Sequence, residues 1–219
     1  LLAEGLEKAD LFFTHCHYDH IIGLPFFKPL YHPASALTVW SGHLAGVMTT
    51  REMVTAFMSA PWFPVGPGVC RARLTYADFI PGDAIDLGDG ITIRTAWLNH
   101  PGGAVGYRVE WQGRALAIVT DTEHRDGVRD PAVMGLIRGV ECFLYDAAYT
   151  DDEMATFRGF GHSTWQEAVR LAQEAGAARV GLIHHADWRE DKALAAIEAE
   201  AQAAFAGAFC GRDGQVIDL

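Results

Sequence analysis

The segment Thr14-His15-Cys16-His17-Tyr18-Asp19-His20 puts three imidazoles and a carboxylate directly after an apolar stretch. Nitrogen and anionic oxygen donors at that density speak for metal ligation. Side chains two apart in an extended chain point the same way, so His15 and His17 can share one ion. Asp19 and His20, further along, can face a second, while Cys16 is turned to the opposite side. Three later residues stand where strands are expected to end: His100 in Leu98-Asn99-His100, Asp121 in Val119-Thr120-Asp121 and His184 in Leu182-Ile183-His184. With these the donors suffice for two ions. Such a pair, about 3.5–4 Å apart, would clamp the attacking and leaving oxygens of a phosphodiester and lower the pKa of a water between them. Imidazole and carboxylate ligation without a thiolate suits Zn, Mn or Fe. The remaining histidines His32, His43, His124 and His185 read as structural or merely exposed.

The chain of 219 residues is half hydrophobic and 21% charged, which predicts a single domain with one substantial core. No apolar run approaches the roughly 18 residues of a membrane span, so no membrane partner is expected. A net charge of −11 argues against a surface that tracks phosphates. A long nucleic acid is therefore a disfavoured partner, and a homodimer is an allowed assembly. Four scattered cysteines, Cys16, Cys70, Cys142 and Cys210, form no C-x-x-C pair and fit reduced thiols in a cytoplasm.

The elements that must position the donors follow from hydrophobic pattern and turn residues. Residues 1–10 look helix-like, and Leu11 to Thr14 reads as a buried strand feeding the metal loop. Ile21 to Phe27 reads as a helix or turn, Leu37 to Trp40 as a strand, and Leu44 to Ser59 as a helix that Pro61 ends. Met48, Met53 and Met58 are its expected core-facing residues. Pro61 to Gly68 is a loop whose Trp62 and Phe63 could stack on a base, although anchoring the loop to the core is the simpler role. From Arg71 to Thr120 the pattern is β, with turns at Gly88-Asp89-Gly90 and Gln112-Gly113. Beyond it, helices at Pro131 to Gly139, Ser163 to Ala175 and Glu190 to Ala206 alternate with strands at Glu141 to Tyr145 and Val180 to Ile183, which implies parallel βα units. Val216 to Leu219 is expected as an edge strand. Ser163-Thr164-Trp165-Gln166 has the form of a capping box, which would start a helix just after His162 and offer its N–H groups to an anion.

The run His15 to His20 matches in full the His-x-His-x-Asp-His hallmark of the metallo-β-lactamase-fold hydrolases, and His100, Asp121 and His184 match that family's later single-residue motifs. The chain resembles this family over nearly its whole length. The resemblance implies an α/β fold, a four-layer αββα sandwich, with residues 1–219 forming one hydrolase domain. Family members usually carry several strands and a glycine-rich stretch before the hallmark, so an N-terminal portion is expected to precede residue 1. Carried over residue by residue, His15, His17 and His100 would hold one ion, Asp19, His20 and His184 the second, and Asp121 would bridge both.

A narrower resemblance lies in Leu144-Tyr145-Asp146-Ala147-Ala148-Tyr149, Gly161-His162-Ser163-Thr164 and Ile183-His184-His185, which look like the phosphodiesterase branch that includes ribonuclease Z and bacterial cyclic-phosphodiester hydrolases. His100-Pro101-Gly102-Gly103, Gly106-Tyr107-Arg108 and Thr120-Asp121-Thr122-Glu123-His124 resemble the bacterial cyclic-nucleotide side of it. In that branch the residue matched by His162 lies near the scissile phosphate. Imidazole titrates near neutrality and so suits a general acid, which makes His162 the expected donor of the leaving-group proton, with Asp19 and Asp146 as further catalytic candidates. Asp146 could orient His162 or support a metal-binding histidine. Nothing in the chain looks like the long flexible arm with which ribonuclease Z grips tRNA. A compact phosphodiester such as a cyclic nucleotide is the favoured substrate. The rivals are a lactone, lactam or thioester hydrolase of the same fold and a metal-holding domain without turnover.

Overall fold

The structure, a computed structural model, describes residues 7–219. The chain divides into two compact units, the first ending at Pro81 and the second beginning at Gly82.

The first unit carries three parallel strands, β1 (Lys8–Phe12), β2 (Ala36–Ser41) and β3 (Arg73–Asp78), in that order across the sheet. Alternation in β2 turns Leu37 and Val39 inward, where they join Phe13, Leu30, Met53, Val54 and Met58 in a buried cluster. Helix α1 (Tyr18–Ile21) follows the histidine run, and α2 (Thr50–Phe57) begins at a reciprocal capping box between Thr49 and Glu52. Several expectations are corrected here. Residues 8–10 belong to a strand, because pairing of Lys8 and Asp10 with Ala36 and Thr38 overrides a composition that favours helix. Residues 1–6 of that expected helix lie outside the described residues. The helix expected from Leu44 starts only at Thr50, since Gly46 turns the backbone at φ 79° and Thr49 supplies the cap. Met48 therefore falls before the helix and is exposed, unlike Met53 and Met58. Cys16 and Phe63 pack against the buried cluster, whereas Trp62 is 73% exposed and anchors nothing.

The second unit is built on seven strands: β4 (Ala84–Gly88), β5 (Ile91–Leu98), β6 (Ala104–Trp111), β7 (Arg114–Val119), β8 (Cys142–Asp146), β9 (Val180–Ile183) and β10 (Ala208–Cys210). They lie in the order β10-β9-β8-β7-β6-β5-β4. The pairs from β4 to β7 are antiparallel and those from β7 to β10 parallel. The expected tight turns are present, with Gln112 and Gly113 both at positive φ as a two-residue hairpin requires. Helices α3 (Pro131–Ile137), α4 (Asp151–Phe157), α5 (Trp165–Ala175) and α6 (Asp191–Ala204) complete the unit. Its core joins Val119, Phe143, Tyr145, Val180 and Leu182 of the central strands to Leu136, Ile137, Val169 and Leu171 of the helices.

Three details differ from the sequence reading. The edge strand is Ala208–Cys210, paired with β9, and not 216–219, where Val216 is 84% exposed. Helix α4 was unforeseen, because seven residues with one buried side chain, Met154, show no apolar period. The cap of α5 is Thr164, whose Oγ1 accepts from Glu167 N at 3.1 Å, so Ser163 is left for another task. Among the described residues no helix is long and apolar enough to cross a membrane.

Candidate active site

The parallel strands of the second unit end along one sheet edge. Strand β5 is two antiparallel pairings from β7 and so runs the same way, which brings the residues after Leu98, Val119 and Ile183, and Asp146 at the end of β8, to that edge. In open α/β sheets the carboxyl ends of parallel strands are where ligand chemistry is assembled. His100 Nε2 stands 3.8 Å and His184 Nε2 3.4 Å from one atom, Asp121 Oδ2. His184, and not its neighbour His185, makes that approach. Asp121 and His184 both hold left-handed backbone, at φ 49° and 58°, a conformation that most non-glycine residues avoid. The Thr120 hydroxyl donates to Asp121 Oδ1, leaving Oδ2 turned to the imidazoles.

The loop before α5 locks this arrangement. His100 Nδ1 lies 2.9 Å from the carbonyl of Gly161, to which it donates, so Nε2 is the nitrogen directed at Asp121. A Cβ on Gly161 would come within 2.4 Å of His100 Nδ1, and φ there is +89°. Only glycine fits. Glu123 Oε2 accepts from the backbone N–H of Gly159 and Gly161 at 2.7 and 3.0 Å, and Asn99 Nδ2 donates to the Glu123 carbonyl at 2.7 Å. Glu123 thus ties three loops together. Its part is invisible in the sequence, because a glutamate in a loop carries no signal of the backbone it will hold.

Asp146 is fully buried and accepts from Thr122 N at 3.2 Å, Ala148 N at 3.1 Å, Ser163 N at 3.2 Å and His162 Nδ1 at 2.8 Å. Of its two expected tasks, the geometry shows contact with His162. The ring of His162 stacks on His184 with centroids 4.7 Å apart and lies 5.3 Å from the ring of His100. Ser163, displaced from the cap, pairs with His124 Nδ1 at 2.6 Å and with Tyr145 OH at 3.3 Å. Burial pushes the imidazoles of His124 and His185 down, which keeps them neutral and agrees with structural roles.

The histidine run of the first unit follows β1. His15 is buried, with Nδ1 3.1 Å from the Thr14 hydroxyl and Nε2 3.1 Å from His17 Nδ1. The rings of His15 and His20 are 4.2 Å apart, and Asp19 Oδ2 stands 3.0 Å from His20 Nε2. His43 is also buried, and burial, assisted by His17, pushes its imidazole down to about 4. Nitrogens facing nitrogens in one unit, and two imidazoles converging on one carboxylate oxygen in the other, are donor sets that fit divalent cations.

These features define a class. The chain shares its fold with the metallo-β-lactamase fold protein YhfI from Bacillus subtilis, at TM-score 0.71 and 20% identity, covering 97% of this chain and 77% of that one. It is likewise similar to human tRNase Z, short form, at TM-score 0.66 and 19% identity over 95% of this chain and 78% of the other. Residues 2–185 match the Beta-lactamase superfamily domain, and the chain belongs to that family. Among curated relatives, ribonuclease Z of Gemmatimonas aurantiaca is 25% identical, covering 96% of this chain and 79% of its own length. Ribonuclease Z of Lactiplantibacillus plantarum is 26% identical, covering 96% and 80%.

Proposed function

We propose that this protein is a metal-dependent phosphodiesterase acting on a compact phosphodiester such as a cyclic nucleotide. At the coarser level it is a metal-dependent hydrolase of the metallo-β-lactamase fold. The observation that carries the finer reading is the Asp146–His162 pair, 2.8 Å apart, with His162 stacked on His184 beside Asp121. The pair supplies a proton to a departing alkoxide, and its place in the Gly161 to Thr164 segment, which resembles the phosphodiesterase branch, favours phosphorus over a carbonyl carbon as the centre attacked.

By family resemblance, His15, His17, Asp19 and His20 of the first unit and His100, Asp121 and His184 of the second are the ligands of two divalent ions. When bound, such ions supply charge neutralisation at the phosphoryl oxygens and an acidified water. The chain's own residues then perform the proton work. Asp146, holding Nδ1–H of His162, fixes the tautomer and stabilises the imidazolium, so that Nε2 gives its proton to the leaving oxygen. Gly161, through its carbonyl, keeps His100 in the one orientation that presents Nε2.

An RNA substrate is the second reading, and the relatives named ribonuclease Z favour it over the expectation that no long nucleic acid binds. The net charge of −11 favours the small substrate. Replacement Asp121→Ala should lower bound metal and abolish hydrolysis of bis(p-nitrophenyl) phosphate, and full activity in that variant would refute the assignment. A panel of cyclic nucleotide, tRNA precursor, lactone and β-lactam assayed side by side separates the readings. Turnover of the lactone alone would sink the phosphodiesterase.

A further inference from the structure

Beside His162 stands a run of aromatic rings that neither the metal set nor the proton pair uses. Tyr149 presents its ring edge-on to His162, with centroids 6.1 Å apart at 77°. Phe157 of α4 stacks on Tyr149 at 4.4 Å and 9°, and Trp188 stacks on Phe157 at 5.4 Å and 28°. Trp188 is also near parallel to Tyr149, 6.3 Å away at 21°. Phe160 closes the run edge-on, 5.8 Å from Phe157 at 64°. Tyr149 is buried and Phe157 half-buried, but Trp188 and Phe160 remain 54% and 59% exposed.

Large aromatics left half in water next to reactive groups call for an occupant, since each forfeits burial worth roughly 1.5–3 kcal/mol for a large apolar side chain. Two properties of this wall say what the occupant is. Its stacked members lie within 28° of parallel, so it offers a flat face suited to a planar ring. It is also continuous with His162, so a ring held there lies beside the residue proposed to serve the leaving group. We infer that Trp188, backed by Phe157 and Tyr149, forms a stacking platform for the nucleobase of the substrate, which rests on the phosphodiesterase reading above and assigns the residues that hold the base. A base lying on Trp188 sets its phosphate toward His162. The platform is sequence-tolerant, because every base has a π-face. Its selectivity is for a base over no base.

The test compares adenosine 5′-monophosphate with ribose 5-phosphate, which differ only by the base, in calorimetric titrations of the metal-loaded full chain. The wild type should bind the nucleotide about tenfold more tightly or better. Trp188→Ala should erase that preference, while Trp188→Phe keeps most of it, which shows that an aromatic face and not general integrity is being read. Equal binding of the two ligands by the wild type, or a preference that survives Trp188→Ala, overturns the platform. A preference that holds in a protein hydrolysing no phosphodiester overturns the reaction and leaves the platform standing, so the two failures are distinguishable. A short oligoribonucleotide that binds more tightly than the mononucleotide would assign the base to an RNA strand, and equal binding to a free nucleotide; both keep the platform.

Discussion

In the proposed phosphodiesterase, His162 is the residue whose proton would reach the leaving oxygen. Proton donation matters most when the leaving group is a poor one, so His162→Ala should lower kcat for a diester with an alkyl leaving group by about 10²–10⁴-fold. For p-nitrophenolate, which departs without help, the loss should be far smaller. Parallel kinetics on the two substrates check this, and equal losses would remove His162 from the proton transfer. The hallmark His15 to His20 was legible as ligand chemistry because its donors are consecutive and need no fold to bring them together. The partnership of Asp146 with His162 was legible only as one of two alternatives, since the residues are sixteen apart and the choice depends on backbone N–H groups of Thr122, Ala148 and Ser163 that fix the carboxylate. Glu123 was invisible for the same reason: its acceptors' work is on the N–H groups of Gly159 and Gly161.

At the scale of elements, α5 sets the height of the Gly161 to Thr164 loop, and its first turn is fixed by Thr164. That side chain accepts from Glu167 N and donates to Asp151 Oδ1 at 2.7 Å, linking α5 to α4. Thr164→Ala should cost about 1 kcal/mol in urea denaturation, and Thr164→Ser should recover most of it. An unchanged midpoint in the alanine variant would show that the cap contributes nothing. Strong periodicity made β5 to β9, α3, α5 and α6 readable, whereas the strand beginning at Lys8 and helix α4 were not. The strand depends on partners distant in sequence, Ala36 to Thr38, and α4 carries no apolar period, with Met154 as its buried residue. The capping box was misplaced by one residue because Ser163 and Thr164 are equally good caps in isolation. Only the buried contacts of Ser163 with His124 and Tyr145 separate them.

At the scale of the whole molecule, each unit carries its own response to acid. His43, pushed from 6.5 down to about 4 in the folded first unit, is neutral in both states above pH 6.5. Below it the unfolded chain takes up a proton that the fold refuses, so stability declines as pH falls from 6.5 toward 4, by up to about 3 kcal/mol. In the second unit, Arg108 followed by Arg94 holds Glu110 below the ordinary carboxylate range, and Arg212 does the same for Glu198. Those contributions are present above the ordinary range and are lost as the folded carboxylates protonate. Urea titrations at pH 7, 5 and 3.5 should therefore show an early loss from the first unit and a later one from the second. A flat profile between pH 7 and 5 would contradict the buried neutral state of His43.

The left-handed backbone at Asp121 and His184 acts on the molecule as a whole in another way. Conformations of that kind cost a non-glycine residue roughly 1–3 kcal/mol and persist only where the surroundings impose them. Glycine would relax both positions and remove both side chains that approach each other there. Heat resistance and chemistry therefore compete for the same two codons, and a lineage selected only for endurance would drift toward a sturdier protein short of two of its seven expected ligands.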